Sequence, residues 1–123
     1  MASTPLTLQQ EMDAALAIVK VGLDRLRDAA CRTEDVAPHA IALRTIYDAT
    51  NPNAGVLAAV AHVIGTITVS ITEVDDDRID EVVELLDEAT AYTQDSAGDR
   101  IRRALDVLAP LLPLHVSGAG TAN

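Results

Sequence analysis

The chain has 123 residues, 49% of them hydrophobic, which is enough for one domain with its own core and too apolar for a disordered chain. A formal net charge of −10 repels phosphate backbones, so direct DNA or RNA binding is not expected, and a basic protein partner or plain solubility is the reading of that charge. Cys31 is the only cysteine, which excludes an intrachain disulfide. With no Phe, no Trp and only Tyr47 and Tyr92, the core falls to Leu, Val, Ile and Ala, a palette that favours closely packed helices.

The opening "MASTPLTLQQEMDAAL" has no basic region ahead of an apolar run, so no signal peptide is expected and the cytoplasm is the default location. The first element spans about Thr7 to Cys31, with Thr7 and Gln10 at capping-box spacing. Leu8, Met12, Leu16, Val19, Leu23, Leu26 and Ala30 fall on one stripe, and Ala14, Ile18, Val21 and Ala29 on a weaker second one. Two stripes predict two packing partners: a subunit interface, or two neighbours within one bundle.

"RTEDVAPH" breaks the pattern. Pro38 disfavours helix at Ala37 and suits the first turn of a shorter helix running to about Thr50. "TNPNAG" is the strongest punctuation, with Asn51 as a cap and Pro52 at a first helical position.

"HVIGTITVSITEV" supports two assignments. Thr66 to Thr72 alternates like a half-buried strand, but a helical period organises the longer stretch from Gly55 to Val74. It gathers Val56, Leu57, Val60, Val63, Ile64, Ile67, Ile71 and Val74 on an arc of roughly 120°, with Ala58, Ala59, His62, Thr66 and Ser70 opposite. The longer window decides for helix, and this long apolar helix, about Pro52 to Val74, is expected to be central. A membrane span is the minor alternative, since Ala54 to Thr72 carries no formal charge. Its hydroxyls, its histidine and the absence of a flanking basic cluster speak against it.

Asp75 to Asp77 are placed to cap the next helix. Ile79, Val82, Val83, Leu86, Ala89, Thr90 and Thr93 share one of its faces, and Asp80, Glu81, Glu84, Asp87 and Glu88 the other. "QDSAGD" predicts a break, with Ser96 and Asp99 at capping-box spacing. In the last helix Ile101, Ala104, Leu105, Leu108 and Leu112 face inward, ended by Pro110 and Pro113. The expected fold is all-α: a small bundle of four or five helices over residues 1–113, with residues 114–123 as a disordered tail.

Three features are candidates for function. His62, Thr66 and Ser70 follow one another at steps of four and could grip a small ligand or position a general base; the plainer account is a satisfied polar line within a helix. Asp80, Glu84, Asp87 and Glu88 form either a solvated face or a docking surface for a basic protein. Arg100, Arg102 and Arg103 could hold phosphate, but Asp99 and Asp106 are nearer partners. His39 is expected at the surface, His115 lies in the tail, and Cys31 has only a weak signal of reactivity from Arg27 and Arg32. The acidic run lacks both the EF-hand pattern and the Glu-x-x-His of di-iron bundles, so no metal and no cofactor is expected. Without a motif of nucleophilic or nucleotide chemistry, the leading expectation is a non-enzymatic interaction or regulatory protein acting as a homodimer. The alternative is a small-molecule binder or cofactor-independent enzyme using the His62 line.

Overall fold

The computed structural model describes residues 4–112, and among these the regular structure is entirely helical. The all-α class is therefore as expected. Helix α1 spans Leu8–Ala30 and opens on the predicted capping box: Gln10 N–H donates to Thr7 Oγ1 at 3.1 Å, and Thr7 N–H to Gln10 Oε1 at 2.9 Å. Two of the N–H groups that a helix start leaves without partners are thereby satisfied.

Helix α2 spans Val36–Ile46 and includes Ala37, because Pro38 still sits in the first turn, where its missing N–H breaks no helical bond. The "TNPNAG" segment does not begin a helix at Pro52. It makes turns instead, with Asn51 N–H bonded to Asp48 O and Ala54 N–H to Asn51 O. The chain then enters α3, Val56–Ile71, through Gly55 at φ 98°. Any Cβ there would stand 2.9 Å from Ile46 O and 3.0 Å from Thr45 O, so glycine is required twice over.

Alternation in "TITVSIT" does not produce a strand. The hydroxyls of Thr66 and Thr68 turn back to the carbonyls of His62 and Ile64, at 2.9 and 2.8 Å, which is how such side chains are satisfied inside a helix. The helix is shorter than the expected run from Pro52 to Val74, and its most apolar arc does not face inward. Ala58, Ala61 and Thr68 are buried instead, while Val60, Val63 and Ile67 are exposed. The packed face is thus rotated about 90° from the β-branched arc. Small residues let the neighbouring backbone approach closely, and that closeness outweighs the bulk of the valines.

That neighbour is one unbroken helical rod made of α4 (Ile79–Ala91), a π-helical turn (Tyr92–Ser96) and α5 (Ala97–Leu108), followed by a 3₁₀ turn at Ala109–Leu111. No break occurs at "QDSAGD". Asp99 is held by Arg102 at 2.9 Å and by Arg103 at 2.9 Å, pairs three and four residues on that support helix continuation rather than a cap. The α4 face of Ile79, Val82, Val83, Leu86, Ala89, Thr90 and Thr93 is half-buried, as expected, and α3 packs against α4 and the π turn. The start of α4 differs in detail: Asp76 accepts from Arg78 N–H and its guanidinium, so this carboxylate holds the turn rather than capping the helix.

Helix α2 meets α5 where the Tyr47 ring lies directly against Gly98. Helix α1 lies chiefly along α2 and has no buried residue. Among the described residues the buried hydrophobic core consists of Ala40, Ala42, Ala58 and Ala61, and no large side chain is fully enclosed. The expected tail, residues 114–123, and His115 lie outside the described residues.

Candidate functional site

The three features singled out in the sequence occupy separate places. His62 is exposed at the rim of a hollow of about 540 Å³ between α3 and the π turn, with Asn53, Thr90 and Gln94 among its lining. Gln94 donates to Pro52 O, tying the π turn to the segment before α3. Thr66 and Ser70 do not line this hollow. Thr66 spends its hydroxyl proton on His62 O, and no hydrogen bond to the His62 ring is present among the described residues. A general base needs a group that orients it, and none is in place here.

Asp80, Glu84, Asp87 and Glu88 all stand on the outer side of α4, exposed. No ion pair engages them among the described residues, and no metal-ligating group of His, Cys, Asp or Glu forms there. Asp76, just ahead, is the one carboxylate of this region with a strong partner. Its bonds to the side chain and backbone of Arg78 hold its pKa at about 2. The arginine cluster is also engaged: Arg102 bridges Asp99 and Asp106, and Arg103 reaches Asp99, which pulls the Asp99 carboxyl below its ordinary range. These pairs leave less positive charge for a phosphate.

His39 is half-buried rather than fully on the surface, and with Leu23, Leu26 and Arg27 it lines a hollow between α1 and α2. Cys31 is exposed at the end of α1.

A further concave surface is apolar. Between α1 and α3 lies a groove of about 460 Å³, walled by Val19, Leu23 and Leu26 on one side and by Val56, Val60 and Val63 on the other, with Thr45 at its base. Beyond it the α1 stripe continues through Leu16, Met12 and Leu8 with no element over it among the described residues. Helix α1 packs chiefly on α2, and the rest of its apolar stripe is exposed among the described residues.

What the sequence did not reveal was that the valine arc of α3 would join this surface. The signal was present in the smallness of Ala58, Ala61 and Gly65, which marks a face suited to close helix packing. No helix among the described residues is long and apolar enough to cross a membrane. No family model, curated protein or solved structure matches this chain.

Proposed function

We propose that this chain is a non-enzymatic helical interaction protein that works as a homodimer. The α1/α3 surface is turned to the second copy. The acidic face of Asp80, Glu84, Asp87 and Glu88 stays free for a basic protein partner. The observation that carries this reading is the apolar groove continued by the bare stripe of α1. Apolar surface gains about 25 cal/mol per Å² on leaving water, and a chain whose buried core is mostly alanine has few other sources of stability. Contiguous patches of this kind mark interaction sites.

Sedimentation velocity over a dilution series tests it. A monomer–dimer equilibrium, with thermal stability rising as protein concentration rises, is the expected result. A monomer of unchanged stability at every concentration overturns it. His62→Ala leaves the equilibrium in place on this reading, because His62 lies outside the apolar surface. Reversing charge at Asp80, Glu84 and Glu88 also leaves it in place while abolishing capture of a basic partner.

A further inference from the structure

We propose that the two copies pair through antiparallel α1 helices, the N-terminal half of each α1 seated in the α1/α3 groove of the other. This rests on the homodimer reading and gives it a geometry. The stripe and the groove belong to one rigid helix: Leu8, Met12 and Leu16 extend from the same α1 whose Val19 and Leu23 wall the groove. A helix cannot fold back into a groove that it forms itself. The second copy carries the same ridge and the same groove, and a two-fold axis satisfies both at once.

The seam residues fix the register. Met12, Leu16, Val19 and Leu23 are spaced four, three and four apart, the spacing of a helix–helix seam. With the axis passing between Leu16 and Val19, Met12 lies against the partner's Leu23 and Leu16 against the partner's Val19. Ala15 and Gly22 fall on one flank, and an added Cβ at Gly22 would meet nothing within 4 Å, so the second helix has room to approach. Asp13 and Lys20 fall on the other flank, where antiparallel pairing sets Asp13 beside the partner's Lys20, twice by symmetry. In a parallel pair the residue facing Lys20 across the seam is the partner's Ala15, which offers no charge.

The area is also that of a dimer. Leu8, Met12, Leu16, Val19, Leu23, Val60, Val63 and Ile67 are between 43% and 66% exposed. Together they leave on the order of 700 Å², close to the roughly 800 Å² per partner of a standard interface. Pairing turns two α1 and two α3 helices into a four-helix core, which a single copy lacks.

Lys20 is the only lysine and Cys31 the only cysteine, so both tests use the unaltered chain. Carbodiimide treatment of the dimer followed by trypsin is expected to give segment 1–25 of one copy joined to segment 1–20 of the other by a Lys20–Asp13 amide, and two copies of segment 1–25 where both symmetric links form. A link between two copies of one segment is necessarily intermolecular. Spin labels on Cys31 are expected roughly 40 Å apart, since the register sets Cys31 opposite a position about 27 residues along the seam at 1.5 Å per residue. Leu16→Glu, which acts twice across the axis, is expected to raise the dissociation constant at least about thirtyfold. A dimer with labels closer than about 20 Å, or with no Lys20–Asp13 link, overturns this pairing and leaves the homodimer reading standing. A monomer at every concentration overturns both.

Discussion

Along α4, Val82, Val83, Leu86 and Ala89 turn toward α3 and are half-buried, while along α1, Leu8, Met12, Leu16 and Val19 follow a comparable helical spacing and stay more than half exposed. Both helices announce an apolar face by the same period, and only one finds its cover among the described residues. Amphipathic spacing therefore states that a face needs burial and says nothing about which molecule supplies it. Equivalent truncations in the two helices should separate the cases.

Leu86→Ala removes a side chain from the α3–α4 contact and should cost about 2 kcal/mol, the low end for a leucine truncation because the site is only half-buried. Leu16→Ala, measured in protein dilute enough to be monomeric, should cost less than about 0.5 kcal/mol, as for an ordinary surface site. Urea titrations at low concentration give both values. At high concentration the Leu16→Ala penalty should grow, because bound monomers stabilise each other by mass action. Equal costs at low concentration would mean that α1 packs on its own body.

The join between α2 and α5 gives the next effect. A methyl at Gly98 would collide with the Tyr47 ring, and an aromatic ring cannot yield as a flexible chain end does. Gly98→Ala should destabilise by about 1–3 kcal/mol, the usual range for overpacking. Adding Tyr47→Ala should recover part of that loss, and a double-mutant cycle reads the coupling. Full additivity would show that the ring is not held against Gly98.

Thr7→Ala tests α1 alone. Losing this cap should cost about 1 kcal/mol, confined to the first turns of α1. Faster amide exchange at Gln10 and Glu11, with α4 unchanged, is the expected pattern. Protection restored at high concentration would place the first turn of α1 inside the dimer interface.

These contrasts follow the line between what was legible in the chain and what was not. The capping box at Thr7 and Gln10 and the half-buried face of α4 were readable, because each depends on residues close in sequence. The buried face of α3 was not. Its valine arc and its small-residue arc are both apolar, and the choice between them depends on how near α4 can come. The continuous rod through "QDSAGD" was hidden for a similar reason: Asp99 has capping spacing from Ser96, but its carboxylate is taken by Arg102 and Arg103. As for the candidate site, the two stripes of α1 pointed to a surface. His62, Thr66 and Ser70 showed only a shared face, and the structure places Thr90 and Gln94 beside His62 instead.

The smallest expected effect lies at the start of α4, where an exposed ion pair stands in for a cap. Asp76 is held at about 2, below its ordinary 3.8, by hydrogen bonds from the side chain and backbone of Arg78. A carboxyl with a depressed folded value contributes stability above its unfolded value and loses it as pH falls. The contribution is therefore complete above about pH 4 and fades as the pH drops from 3.8 toward about 2. Both side chains are solvent-accessible, so salt should weaken the effect. Arg78→Ala should return the Asp76 carboxyl toward 3.8, followed by its carbon chemical shift across an acid titration. The same titration bears on the two helices. If α4 loosens at its first turn while α1 amides keep their protection, the ends of these helices are secured locally and independently. If both respond together, the α3–α4 body and α1 share a cooperative unit, joined through α2 if the coupling persists in dilute protein and through the second copy if it is lost on dilution.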